Sequence, residues 1–134
     1  MRADWSNDYV GIPYKLHGRE IDGLDCWGLV RQVYARELRI LLPSYEESYF
    51  STLDEEGFQE AFGNESLDWI PVTSTLREFD AVWCRIAGVE CHVGVYVGSG
   101  KMVHAMLGND SCLVSIDSTA WERRIVQCYR HRSL

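Results

Sequence analysis

The sequence predicts an α+β domain in which helices come first and an antiparallel sheet follows. Residues 4–42 place their apolar positions at helical spacing, and from Asp80 onward five short runs alternate between turns rich in Gly, Asn and Asp. The scale fits one core: 134 residues, 46% hydrophobic and 12% aromatic, without repeats or a Pro/Gly/Ser linker. Residues 1–134 are therefore expected to form one unit.

Taken in order, residues 4–10 form a short helix that Gly11 and Pro13 stop. Asp25 is placed to cap a longer helix with the apolar stripe Leu29, Val30, Val33, Tyr34, Leu38 and Leu41. Cys26 falls in its first turn. Residues 43–78 are acidic and less patterned, and read as an insertion at the rim of the domain. Within it Asp54, Glu55 and Glu56 lead a short helix through Phe62, and Trp69, Ile70 and Pro71 pack as the chain returns. Strands are expected at 81–86, 91–97, 101–105, 112–116 and 125–129, an antiparallel meander of about five.

A formal net charge of -7 argues against nucleic acid or an anionic membrane as partner, since both require a basic surface. No apolar run approaches the roughly 18 residues of a membrane span, and the start Met1-Arg2-Ala3-Asp4-Trp5 has no apolar core of a signal peptide. The chain is expected to be soluble as made and outside the usual export route. Its five cysteines, Cys26, Cys84, Cys91, Cys112 and Cys128, are odd in number and lack CxxC spacing, so they read as reduced thiols with at least one free for chemistry.

A thiol attacks as its thiolate, so a working cysteine needs a helix N-terminus, an adjacent imidazole, or both. Cys26 has the first by position. Asp25 opposes it as a neighbouring negative charge unless its carboxylate turns back onto the amides of the first turn, and an imidazole becomes more necessary. A cysteine at a helix start is also often structural, because free cysteine is among the most buried residue types. In the tract His92-Val93-Gly94-Val95-Tyr96-Val97, His92, Gly94 and Tyr96 share one side and the valines the other. With the valines in the core, His92 faces the helix or a cleft, and Gly94 lets another group approach its ring. Without a partner, such a histidine is an ordinary core or rim residue.

Hairpin parity brings in a second imidazole. His104 shares a face with His92 only if the connecting loop has an odd length, and Gly98-Ser99-Gly100 supplies one, with Gly100 free to take a positive φ. Val97 then pairs with Lys101 and Gly94 lies opposite His104. His92 sits on the diagonal, about 7–8 Å away between backbones and within reach of a ring-to-ring hydrogen bond. A neutral histidine can hold a base in its tautomer by accepting from the ring N–H, as an Asp does in a serine triad.

Five tracts carry a resemblance over nearly the whole chain: Gly11-Ile12-Pro13-Tyr14 with Gly18; Asp22-Gly23-Leu24-Asp25-Cys26-Trp27-Gly28-Leu29-Val30; Asp80-Ala81-Val82; His92-Val93-Gly94-Val95-Tyr96; and Met102-Val103-His104-Ala105. In this order they resemble the NlpC-like cell-wall cysteine peptidases, of papain-like fold, and most closely their bacteriophage tail-assembly branch. The resemblance implies that Cys26 attacks a peptide carbonyl, His92 is the base, and His104, twelve positions later, orients it. It implies that the Tyr14 hydroxyl and the Cys26 amide steady the oxyanion, and that Asp25, Trp27 and His17 lie around the substrate. It implies neither metal nor cofactor.

The implied substrate is the stem peptide of peptidoglycan, commonly cut between γ-D-glutamyl and the diamino acid. The implied setting is a phage or phage-like tail tip, made in the host cytoplasm among other tail-tip proteins and acting in the periplasm or cell wall. Carriage in a tail tip would also deliver a domain that has no wall-binding repeat. The rival expectation is a structural tail subunit that keeps the fold with little or no hydrolysis. Three departures stand out. Many cell-wall members read Cys-Ser-Gly where this chain has Cys26-Trp27-Gly28, their Gly-Gly pair is His17-Gly18, and their Gly-Asp at the strand entrance is Phe79-Asp80.

Other residues admit plainer readings. Cys84, Cys91 and Cys112 with His92 and His104 contain zinc-ligand chemistry, but no pair has chelating spacing and Cys91 alternates with His92, so the thiols read as small core residues. At least three of Trp5, Trp69, Trp83 and Trp121 are expected in the core rather than as a sugar-stacking platform. Arg123, Arg124, Arg130, His131 and Arg132 form a basic end that is either a solvated edge or a docking surface.

Overall fold

The computed structural model describes residues 4–45 and 68–134, without the side chains of Glu90 and Cys91. Near its start, Trp5 and Tyr9 lie on a single 3-10 turn, Trp5–Tyr9, and both are buried. Packing holds so short an element, because an isolated turn is too short to be stable in water. Next comes a small antiparallel ribbon, β1 (Arg19–Glu20) and β2 (Gly23–Leu24), which leads into helix α1 (Cys26–Val33).

The helix expected to reach residue 42 is shorter. After Val33 the chain widens into a π-helical turn, Tyr34–Leu38, closed by Arg39 in the left-handed region at φ 57. The Ile40 N–H then donates back to the Tyr34 carbonyl at 3.1 Å. This reversal puts Leu41 in solvent, 83% exposed, and turns Leu42 inward, so Leu41 does not belong to the apolar stripe. The helix expected from Asp54 through Phe62, and most of the acidic insertion, lie outside the described residues.

All five expected strands form, the first with its expected bounds and the others with shifted ends: β4 (Ala81–Ile86), β5 (Val89–Gly98), β6 (Lys101–His104), β7 (Cys112–Ser115) and β8 (Ile125–His131). The returning segment is itself a strand, β3 (Trp69–Pro71), paired with β8. The sheet therefore has six antiparallel strands in the order β3-β8-β4-β5-β6-β7, rather than about five in a simple meander. A short helix α2 (Thr119–Glu122), capped by Ser118, crosses between β7 and β8.

Both sheet faces are covered. Ala81, Val93, Val95 and Val103 pack with Leu29, Val30 and Val33 of α1, while Val82, Cys84 and Met102 pack with Ile116 and Trp121 on the other side. The valine side of β5 is thus the one that meets the helix. His92, Gly94 and Tyr96 lie on the other side, beside Met102 and Trp121, so His92 does not face the helix as one of its two expected placements had it. Phe79, at the sheet entrance, adopts φ 77, a conformation that glycine takes without strain. Its ring stacks on Trp5 with centroids 4.5 Å apart, and Tyr34 Oη donates to its carbonyl. Packing and a hydrogen bond thus hold a large side chain at a left-handed backbone position.

Candidate active site

The Cys26 end of the site is built around Asp25. Extended at φ -92 and ψ -173, Asp25 caps α1, and its Oδ1 accepts from the Gly28 N–H at 2.8 Å. The same oxygen accepts from Arg19 Nη1 at 2.9 Å, and Oδ2 accepts from the His17 N–H at 3.0 Å. Arg19, itself buried, also donates to the carbonyls of Gly18 and Ser44. The carboxylate therefore does turn back onto the helix, and a guanidinium offsets the negative charge that argued against Cys26. Gly28 is required by closeness: a Cβ there would lie 1.9 Å from the Gly18 carbonyl oxygen.

Asp25 and Trp27, expected around the substrate, are as buried as Cys26 itself. Asp25 is 0% exposed and engaged by three donors. Trp27 is 1% exposed and its Nε1 donates to the Pro43 carbonyl at 2.8 Å. Both shape the helix start. His17 is half-buried in the left-handed region at φ 61, with its backbone serving Asp25. Tyr14 is half-buried beside Leu24, held by Leu24 N–H to Pro13 O at 3.1 Å and Lys15 N–H to Leu24 O at 3.2 Å. Cys26 is the first residue of α1 and wholly buried, among the core residues on the helix side of the sheet, which include Val93.

The sheet brings the two imidazoles together. His92 Nε2 and His104 Nδ1 are 3.0 Å apart, with ring planes at 88°. Val95 pairs with Val103 and Tyr96 with Met102, the register that parity predicts, but the turn differs. A register shift at Val97 is followed by the closing pair Gly98 and Lys101, so the loop is the two residues Ser99 and Gly100, both at positive φ. The extra bulge residue restores the parity that a two-residue loop would have broken. Gly94 is needed here because a Cβ would lie 2.7 Å from Met102 Sδ and 3.3 Å from His104 Cβ.

Sequence reasoning assigns three neighbours of this pair to other roles: Cys112 and Trp121 to the core and Arg124 to the basic end. The Trp121 ring lies edge-on to His104 at 4.7 Å and tilted over His92 at 6.0 Å, and the Arg124 guanidinium stacks on the indole at 4.8 Å. Cys112, paired with His104 across β6 and β7, puts Sγ 3.6 Å from His104 Nε2. Strand pairing could have located Cys112, whereas no local pattern announces Trp121 or Arg124. Burial pushes His92 down to about 3, helped by His104 and Arg124. Burial pushes His104 down to about 4, helped by Arg124. Both rings are therefore neutral near pH 7. A neutral His92 can take a proton on Nδ1 only when its own proton sits on Nε2, and His104 Nδ1 then accepts that proton in a hydrogen bond.

The basic end is divided in its roles. Arg130 grips buried Asp80 with two bonds of 2.8 Å, Arg124 covers Trp121, and His131 is buried, so these three are not a simple solvated edge.

Comparison with known proteins agrees with this architecture. The chain is 27% identical over 128 residues to the murein DD-endopeptidase MepS/murein LD-carboxypeptidase of Escherichia coli, covering 96% of this chain and 58% of that protein. It is 27% identical over 124 residues to a probable endopeptidase NlpC homolog of Haemophilus influenzae, covering 92% of this chain and 58% of the other. The chain thus spans under two thirds of the length of these relatives. Among solved structures, an NlpC/P60 family protein from Bacillus cereus superposes with a TM-score of 0.68 at 18% identity, over 98% of this chain and 40% of that one, which shows the fold. Residues 11–130 match the NlpC/P60 family as a whole, and with that match covering most of its length the chain belongs to this family.

Proposed function

We propose that the chain is a cysteine endopeptidase that cuts the stem peptides of peptidoglycan. The observation that carries this reading is the buried His92–His104 pair at 3.0 Å, in a member of a family whose relatives include named murein endopeptidases. His92 draws the proton from Cys26 onto Nδ1 and keeps its Nε2 proton in the bond to His104. The thiolate attacks the carbonyl, the Tyr14 hydroxyl and the Cys26 amide steady the oxyanion, and water resolves the thioester. His92 waits uncharged as a base and becomes charged only as the thiolate forms beside it.

The finer reading places the enzyme in a phage or phage-like tail tip, among other tail proteins, opening the wall during genome delivery. It rests on the likeness of Cys26-Trp27-Gly28 to the tail-assembly branch. The rival within that setting is a structural tail subunit with little hydrolysis. Incubating the purified chain and Cys26→Ala with peptidoglycan, and reading new amino termini by mass spectrometry, decides between them. New termini are expected from the parent, with the rate falling at least about 100-fold in Cys26→Ala, which loses the nucleophile. Equal yields from the two proteins would remove the enzymatic reading. Immunolabelling of intact particles tests the location.

A further inference from the structure

We propose that Cys112 is a positioning residue of the imidazole pair: its sulfur accepts the outer N–H of His104 and so holds both rings in the tautomer in which His92 can act as base. The inference rests on the peptidase reading and adds a residue to it. The geometry is a chain of three groups, His92 Nε2 to His104 Nδ1 at 3.0 Å and His104 Nε2 to Cys112 Sγ at 3.6 Å. The second contact is built in by the sheet, because His104 and Cys112 face each other across β6 and β7.

Two proton arrangements fit this chain. In one, the Cys112 S–H donates to His104 Nε2, His104 Nδ1–H donates to His92 Nε2, and the His92 proton is left on Nδ1, where it blocks the base. In the other, His92 Nε2–H donates to His104 Nδ1, His104 Nε2–H donates to Cys112 Sγ, and His92 Nδ1 carries a lone pair. Proton transfer selects between them. When the Cys26 proton moves to His92 Nδ1, both His92 nitrogens bear hydrogen, so His104 must accept on Nδ1 and donate from Nε2. Sulfur is then the acceptor at the end of the chain. One S–H bond of Cys26 breaks, one N–H bond of His92 forms, and no proton moves beyond His92. Burial also raises the Cys112 thiol above its ordinary pKa, so it remains neutral beside a neutral His104.

The test combines a structural readout with kinetics. In the intact protein labelled with nitrogen-15 in histidine, imidazole shifts assign the tautomer of His92 and His104 in the parent, Cys112→Val and Cys112→Ser. The parent is expected to carry its protons on Nε2 of both rings. Cys112→Val, which removes the acceptor and keeps an apolar side chain, is expected to move proton density of His104 onto Nδ1. It should lower kcat on peptidoglycan about 2- to 10-fold, the effect of one neutral hydrogen bond, with KM unchanged. Cys112→Ser restores an acceptor and should recover the parent tautomer and part of kcat. A parent with His104 protonated on Nδ1, or Cys112→Val with unchanged tautomers, overturns the proposal. A parent that shows the expected tautomers but no hydrolysis overturns the peptidase reading and leaves the positioning geometry standing.

Discussion

The two ends of the candidate site are held by different kinds of structure. At the Cys26 end, His17, Arg19, Asp25 and Gly28 lie within a dozen positions of one another and form a knot of short-range hydrogen bonds around one carboxylate. At the imidazole end, His92, His104, Cys112 and Trp121 come from two neighbouring strands, the next strand over and a short helix, and meet because the sheet fixes their register. The first end depends on buried charge and is sensitive to single polar substitutions. The second depends on packing and parity, so changes of volume or register disturb it.

The largest expected effect is at the knot. Asp25→Ala leaves the buried Arg19 guanidinium without its carboxylate and removes the helix cap, and should destabilise the fold by about 3–5 kcal/mol in urea unfolding. Asp25→Asn, which keeps an acceptor for the Gly28 N–H, should lose less. Equal losses would show that the charge rather than the cap dominates.

At the sheet, Gly94→Ala pushes a methyl toward Met102 Sδ and His104 Cβ and should destabilise by about 1–3 kcal/mol. Because the nearest atom lies in a flexible side chain, Met102→Ala in the same chain should relieve part of the strain, although it opens a cavity of its own. A Gly94→Ala protein with parent stability and activity would mean that the close approach does not control the pair.

A pH titration separates the two ends without substitution. His92 and His104 bind protons more weakly when folded than when unfolded, because burial lowers their pKa to about 3 and about 4 from 6.5. As pH falls below about 6.5 the unfolded chain takes up these protons first, so stability is full above that value and declines through the interval down to pH 3–4. His131, also lowered by burial, adds to the decline in the same direction. Thermal unfolding from pH 8 to 4 should show a falling midpoint, and His92→Gln with His104→Gln should flatten it. A midpoint with no pH dependence in the parent would contradict the burial of the pair. The smallest effect is expected at Leu41, where Leu41→Lys should change stability by no more than about 0.5 kcal/mol, as suits an exposed residue.

Much of this architecture was readable in advance, and the misses share a cause. All five predicted strands form because alternation of apolar residues is a local signal with period two. The sixth strand, Trp69–Pro71, is only three residues long and exists through pairing with β8, sixty positions away in sequence, so no local pattern marks it. The helix end was misplaced because the apolar stripe continues through Leu41 while the π-helical turn and Arg39 reverse the chain. The hairpin register was correct although its turn was not, since parity counts the residues between strands and not the bulge that supplies one of them.

The sequence by itself determined the order of helix and strands, the cap at Asp25, the placement of Cys26 at a helix start, and the common face of His92 and His104. Each follows from spacing along the chain, which residues carry with them. Only the tertiary structure decided that Arg19 neutralises Asp25, that Asp25 and Trp27 are interior, and that Trp121, Arg124 and Cys112 surround the imidazole pair. It also decided that a phenylalanine occupies the left-handed position at 79. These outcomes depend on which groups burial forces together, and desolvation acts on the assembled molecule, where it shifts both imidazoles to their neutral forms.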